Sequence, residues 1–257
     1  KEEIAKFESE GRKPVVRLKV PKNKVIKFVD AVFGEIDFNT DTFGDFVIQK
    51  SDGFPMYNFA VTVDDNEMSV TDVVRGRQHI SNTPKQVVLY ETFGWNIPRF
   101  IHFSDLLNES QPGKLSKRFG AKPIARYRAE GYLSEAIFNY IVIVSSSFHF
   151  QNKDEEIMTM AEILKQISPE KILKTNAKFN AAKLDWMNGQ HIRRFGPDEF
   201  FDKVIAWLEK DAKSMKIFDQ EFDETRVDLF LSKKEVLKQA LPLIQERITK
   251  FSDIFEY

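Results

Sequence analysis

VTDVVRGRQHISNTPKQVVLYETFGWNIPRFIHFS, residues 70–104, decides the fold. "VTDVVRG" (70–76) is a short apolar run closed by Gly76, the pattern of a buried strand. "SNTPKQVVLYETFGW" (81–95) carries helix punctuation: Ser81, Asn82 or Thr83 as N-cap, Pro84 in the first turn, and Gly94 just past the end. "RFIHFS" (99–104) is again a strand. Strand, helix, strand in that order implies a parallel β-α-β crossover. In such sheets ligands lie outside the C-terminal ends of the strands. Arg75, in "VVRG", and the loop after "FIHFS" both fall at that edge.

The loop contains "KLSKR", residues 114–118, after the turn-forming run "NESQPG". Ammonium groups on long stems can follow phosphates as a reaction moves them. A loop at a sheet edge can close over a nucleoside triphosphate and stabilise charge on the leaving pyrophosphate. Lys114, Ser116 and Lys117 suit that work. A solvated basic loop has the same composition, so these five residues alone leave both readings open.

Upstream, residues 1–11 read as the end of a helix closed by Gly11. "VVRLKV" (15–20) alternates as a half-buried strand does, "KVIKFVDAVFGEIDF" (24–38) reads as a hairpin turning near Gly34, and "DFVIQK" (45–50) as a strand ended by the turn "SDGFP". "PMYNFAVTVDDNEM" (55–68) predicts a helix with Pro55 in its first turn. From about Ile124 the helical period dominates, in "IARYRAEGYL", "SEAIFNYIVIV", "DEEIMTMAEILKQI", "PDEFFDKVIAWLEKDA" and "SKKEVLKQALPLIQERITKF". The architecture expected is a small β-rich piece, half of an α/β sheet, and an α-helical tail.

Composition narrows the function classes. With 257 residues, 42% hydrophobic and 30% charged, the chain reads as a globular protein of two or three units. A net charge of −1 means that nucleic-acid binding must come from local basic patches. Cysteine is absent, which excludes disulfides and cysteine-based zinc sites. His79, His102, His149 and His191 have no H-x-x-x-H spacing, so no zinc or other metal centre is expected from this chain. The longest apolar run, "AIFNYIVIV" (136–144), is too short to span a membrane and contains Asn139. No secretory pattern opens the chain. The first residue is Lys1, and "ITKFSDIFEY" ends without a stop signal. Both ends are expected to be cuts in a longer protein, cytoplasmic and monomeric.

The motifs extend beyond five residues. "FGEIDF", "GDFVIQKSDGFPMYNFA", "VDD", "VVRG", "HISNTPKQVVLYETFGW" and "KLSKRFGAKPIARYRAEGYLSEAIFNYI" together resemble bacterial-type glutamyl-tRNA synthetases, in that family's chain order and approximate spacing. KLSKR is similar to the KMSKS signature of class I aminoacyl-tRNA synthetases. The resemblance is strong over residues 14–145 and looser through "FNAAKLDWMNGQHIR" (179–193). Glutaminyl-tRNA synthetases share the ancestry, but "KSDGFP" and "SNTPKQ" point to the glutamyl branch.

The resemblance implies α/β plus all-α architecture. Residues 1–45 would end an acceptor-stem-binding insertion, and 46–122 would form the second half of a Rossmann-type catalytic domain. Residues 123–195 would be a helical stem-contact region, and 196–257 the start of a helical anticodon-binding region. It implies that the intact enzyme activates glutamate with ATP and Mg²⁺, then transfers it to the 3′ end of tRNA(Glu). Tyr57 matches the tyrosine that shapes the glutamate pocket. Arg75 matches the arginine that pairs with the substrate carboxylate, where a guanidinium can fork onto both oxygens. Lys114 and Lys117 match the signature lysines and, with Arg118 and Gln78, are assigned to the ATP side, while Ser116 shapes the signature loop. Lys178, Lys183, Arg193 and Arg194 could approach tRNA phosphates.

Some positions depart from the family pattern. Val61 stands where the family has an asparagine of the amino-acid pocket, and valine offers no side-chain hydrogen bond. Arg77 and Gln78 replace acidic residues after "RG". The second class I signature, HIGH, is not in this sequence. "HISN" (79–82) and "HIRR" (191–194) lack its glycine and are assigned to structural roles. This chain alone is therefore expected not to form the adenylate. A non-catalytic tRNA-binding module, or a glutaminyl-type ligase, remains the alternative.

Overall fold

The computed structural model describes residues 2–108, 113–115, 121–148, 150 and 153–257. They form two compact units, Lys1–Ser104 and Asp105–Tyr257. The first holds α1 (Glu2–Ser9), β1 (Val16–Leu18), β2 (Val25–Asp30), β3 (Gly34–Asn39), β4 (Phe46–Gln49), α2 (Tyr57–Glu67), β5 (Asp72–Gly76), α3 (Thr83–Phe93) and β6 (Arg99–Phe103). β5 and β6 pair in parallel from Asp72↔Arg99 to Gly76↔Phe103, as the crossover through α3 requires.

The sheet is wider than the crossover alone. β2 lies parallel to β6 on its other side, and β3 runs antiparallel to β2, giving the order β3-β2-β6-β5. The early hairpin is thus an integral part of the α/β sheet, while β1 and β4 form a separate antiparallel pair. Ile26 and Phe28 of β2, Phe100 of β6, and Val87 and Val88 of α3 make its core. Burying each such side chain stabilises the fold by about 1.5–3 kcal/mol.

Local chemistry sets the helix ends. α3 starts after Asn82, has Pro84 in its first turn, and ends at Gly94 with φ of 70°. Pro55, expected in the first turn of α2, lies outside it. The "SDGFP" segment folds back on β4: Lys50 N–H donates to Phe54 O, and Met56 N–H donates to Ile48 O at 2.7 Å. That pairing keeps Met56 extended, so the helix begins only at Tyr57.

The second unit holds β7 (Leu106–Leu107), α4 (Ile124–Ala129), α5 (Ser134–Ser145), α6 (Met160–Gln166), β8 (Ala177–Lys178), α7 (Ala181–Arg193), α8 (Pro197–Lys210), α9 (Met215–Phe218), α10 (Thr225–Ser232) and α11 (Lys234–Ile244). One core gathers Tyr140, Ile163, Leu184 and Met187, and another Phe200, Trp207, Leu241, Ile248 and Phe251. "DEEIMTMAEILKQI" is not one helix, because Thr159 and Glu162 close a capping box that can only start one. "SKKEVLKQALPLIQERITKF" also departs: Ser232 closes α10, and α11 ends at Ile244, just past Pro242. Among the described residues, no helix is long and apolar enough to cross a membrane. The finer division at 45/46, 122/123 and 195/196 is a functional one, carried here as a proposal.

Candidate functional site

Three neighbouring parallel strands, β2, β6 and β5, bring Asp30, His102 and Arg75 together at their C-terminal ends. Side chains two apart on a strand share a face. Asp30 therefore continues the inward row of Ile26 and Phe28, His102 follows Phe100, and Arg75 follows Val73. Asp30 and His102 are fully buried. The Arg75 guanidinium lies over the Phe100 ring, 5.7 Å from its centroid.

Arg75 is held from three sides. Its Nε–H donates to His102 Nε2 at 3.1 Å, and Nη2 donates to Thr83 Oγ1 and Gln86 Oε1, each at 2.8 Å. Both acceptors on α3 are buried. A guanidinium has five N–H donors; these contacts use three of them, and the Tyr57 hydroxyl also lies against the guanidinium. A two-nitrogen fork onto a ligand carboxylate would have to displace Thr83 or Gln86. Burial pushes the Arg75 pKa down, while the Tyr57 hydroxyl, then Asp65 and Tyr90, favour its charged form. In turn burial raises Asp65, with Arg75 opposing. Tyr90 is pushed up to about 12, chiefly by burial and then by Asp65.

Tyr57, the first residue of α2, is half exposed, with its hydroxyl 3.4 Å from His79 Nδ1. Gln86 Nε2 donates to Asn58 Oδ1 at 3.0 Å, which links α3 to α2. Val61 lies one helical turn beyond Tyr57 and is half buried. Gln78 is exposed in the turn Arg77–His79, its amide folded over Gly76. The Arg77 guanidinium lies 5.6 Å from the centre of the Phe33 ring. Thus Tyr57, Arg75 and Gln78 occupy one edge of the sheet. The sequence reading did not single out Asp30, Asn58, His79, Thr83, Gln86 or His102 for this edge. Strand parity was the available signal for Asp30 and His102, both polar at inward positions.

In the second unit, Lys114 forms an isolated antiparallel bridge with Leu107. Its Nζ lies 2.7 Å from Asp105 Oδ1. Ser116, Lys117 and Arg118 lie outside the described residues. Of the four cations assigned to tRNA, Lys183 pairs with Glu156 at 2.7 Å, and Arg193 pairs with Glu246 at 3.1 Å. Lys178 and Arg194 are exposed. Lys183 and Arg193 are separated by nearly the length of α7, about 15 Å at helical rise. The HIRR histidine, His191, is buried against Asn139. Among the described residues no cluster of His, Cys, Asp and Glu could hold a metal ion.

Comparison with known proteins identifies a family for the chain. The family described as tRNA synthetases class I (E and Q), catalytic domain, matches residues 1–186. A protein of Bacillus subtilis (strain 168) named glutamate–tRNA ligase is 40% identical over 261 residues, covering all of this chain and 53% of that protein. One of the same name from Desulforamulus reducens is 42% identical over 208 residues, covering 81% of this chain and 42% of that one. The chain spans about half the length of the curated relatives it matches. The crystal structure of a glutamate tRNA ligase from Elizabethkingia meningosepticum, in complex with its amino acid, superposes with a TM-score of 0.74 at 32% identity. The match covers all of this chain and 50% of that one.

Proposed function

The chain belongs to the class I tRNA synthetases for glutamate and glutamine, and on that premise we propose that it supplies the second half of the catalytic site of a glutamate–tRNA ligase. In its full-length protein, ATP and glutamate give glutamyl-adenylate and pyrophosphate. The glutamyl group then passes to the terminal ribose of tRNA(Glu). The observation that carries this reading is the restrained Arg75, with the Tyr57 hydroxyl against its guanidinium, at the C-terminal edge of a parallel sheet. In this reading a carboxylate of the substrate pairs with Nη1, Tyr57 walls the pocket, and Gln78 faces the nucleotide.

Lys114, with Ser116, Lys117 and Arg118, neutralises the phosphates of ATP, whose Mg²⁺ arrives with the nucleotide. Positioning and charge stabilisation supply the rate, since no side-chain nucleophile is required. Lys178 and Arg194, the two tRNA-assigned cations exposed on this unit, contact tRNA phosphates, with Lys183 and Arg193 holding the surface that presents them. The working place of such an enzyme is the cytoplasm.

ATP–pyrophosphate exchange by the full-length protein, with tRNA present, tests the reading. Exchange that requires glutamate and is lost in Arg75→Ala supports it. Exchange that responds to glutamine instead, or tRNA binding with no exchange, sinks it in favour of a glutaminyl-type ligase or a binding module.

A further inference from the structure

We propose that Asp30 and His102 are positioning residues that set the direction of Arg75, by locking His102 in the tautomer that accepts from the guanidinium. This rests on the assignment of Arg75 to the substrate carboxylate. It adds two residues that touch no substrate.

An arginine Nε–H can only donate. His102 Nε2, 3.1 Å from Arg75 Nε, must therefore present its lone pair. The ring proton then sits on Nδ1, and Nδ1 lies 2.6 Å from Asp30 Oδ2. Asp30 is equipped to receive it and nothing else. Its Oδ2 also accepts the His102 backbone N–H at 3.1 Å. Its Oδ1 accepts the N–H groups of Val32 and Phe33 at 3.0 and 2.9 Å. All of its contacts are donors, so it remains an acceptor and selects the Nδ1–H tautomer. The relay runs from β2 through β6 to β5, with no exposed member before the guanidinium.

The charge pattern requires a neutral ring. The groups that face His102 are Asp30 from β2, Arg75 from β5, His79 from the turn after β5, and Thr83 from α3. Burial pushes the His102 pKa down, Asp30 opposes, and Arg75 and His79 add to the depression. A protonated ring would set an N–H on Nε2 against the Arg75 Nε–H, and Arg75 would lose its support.

Three variants separate positioning from mere packing. In Asp30→Asn the amide can donate to Nδ1, which drives the ring proton to Nε2 and against Arg75. His102→Asn keeps a donor for Asp30 but has no acceptor within reach of Arg75. His102→Gln places an amide oxygen near the Nε2 position and can restore the acceptor. The readouts, on folded full-length protein, are the nitrogen NMR shifts of the His102 ring, the Arg75 Nε–H resonance, and KM for glutamate against KM for ATP.

The expected result is Nδ1–H in the native protein with a protected Arg75 Nε–H. Asp30→Asn and His102→Asn should lose that resonance. Their KM for glutamate should rise roughly 10- to 100-fold, the range of one hydrogen bond to a charged group, with KM for ATP unchanged. His102→Gln should recover most of the loss, and should lack the rise in glutamate KM expected of the native protein where His102 is protonated, at pH below the ordinary histidine value because burial holds its pKa down. A native ring protonated on Nε2, or an Asp30→Asn protein with an unchanged Arg75 resonance, overturns the proposal. If the NMR pattern holds but glutamate kinetics ignore all three variants and Arg75→Ala as well, the assignment of Arg75 has failed and the relay has not.

Discussion

Gln86 holds Arg75 through Nη2 at 2.8 Å and, with the other end of the same amide, donates to Asn58 at 3.0 Å. One buried side chain on α3 therefore couples a strand end to α2, the helix that starts with Tyr57. Gln86→Leu keeps the volume and removes both bonds, leaving an Nη2 hydrogen and Asn58 Oδ1 without their partner. KM for glutamate should rise by at least about tenfold, and stability should fall by about 1–3 kcal/mol. Gln86→Glu keeps the acceptor for Arg75 but cannot donate to Asn58 Oδ1 unless that amide turns over, and it should hinder glutamate still more, because its carboxylate competes for the Arg75 charge. Steady-state exchange kinetics with urea unfolding decide this. Unchanged glutamate KM in both variants would remove Gln86 from the site.

Lys114 already has a carboxylate partner, Asp105, and that pair is roughly half exposed on the lysine side. Such ion pairs contribute only about 0–1 kcal/mol. Incoming phosphates can therefore take the ammonium at little cost. Lys114→Ala should lower the exchange rate by about tenfold or more, as expected for loss of a cation from a developing charge. Asp105→Asn should change stability by less than about 1 kcal/mol and should not raise KM for ATP. A raised ATP KM in Asp105→Asn would mean that the carboxylate, not the phosphates, sets the working position of Lys114.

Local signals were readable before the structure and non-local ones were not. Pro84 and Gly94 bracket α3 because caps depend on residues within one turn. The pairing of β2 with β6 joins Asp30 to Phe100, a relation across the chain that no local pattern announces. Arg75 stood out because it ends an apolar strand inside a recognisable motif; of the residues that restrain it, Thr83 and Gln86 lie in "SNTPKQ", which was read only as a helix start and a family signature, and His102 carries no motif. Asp30 and His102 could have been found by parity alone, since each is polar two places after a core phenylalanine. Pro55 misled because Pro starts helices and turns alike, and the pairing of Met56 with Ile48 decided for the turn. The Thr159–Glu162 box was in plain sight, three residues apart, but the apolar period of the flanking segment masked it.

Gly131 joins α4 to α5 with φ of 80°, a conformation that L side chains rarely adopt. A Cβ there would also press on the backbone and Cβ of Phe251, whose N–H donates to Gly131 O at 3.2 Å. Phe251 is a core residue, so the contact cannot open without disturbing Phe200 and Trp207. Gly131→Ala should cost at least about 2 kcal/mol through strain and overpacking together. Urea unfolding followed by Trp207 fluorescence measures it. A loss under about 0.5 kcal/mol, below the usual cost of backbone strain, would show that the 251–256 segment yields freely.

His191 gives the second unit an acid-sensitive element with a definite sign. Asn139 Oδ1 accepts the Met158 N–H at 3.0 Å, which fixes the amide orientation, and lies 3.0 Å from His191 Nε2. His191 therefore donates from Nε2. Burial pushes its pKa down, Arg194 adds to the depression, and Glu135 opposes. The unfolded chain takes up this proton first, near pH 6.5, and the folded chain only at lower pH. The stability of the neutral histidine is thus complete above pH 6.5 and is lost as pH falls through that value toward the folded pKa. The limiting slope is about 1.4 kcal/mol per pH unit for one group. His191→Gln keeps a donor for Asn139 without a titrating proton. The difference in unfolding free energy between native protein and His191→Gln should therefore shift in favour of the variant between pH 6.5 and 5. Trp186 and Trp207 fluorescence, in a Trp95→Phe background, follows the second unit and separates it from the titration of His102 in the first, which has the same sign. A difference that stays flat over that range would mean that His191 binds its proton equally in both states, and the buried neutral donor would have to be abandoned.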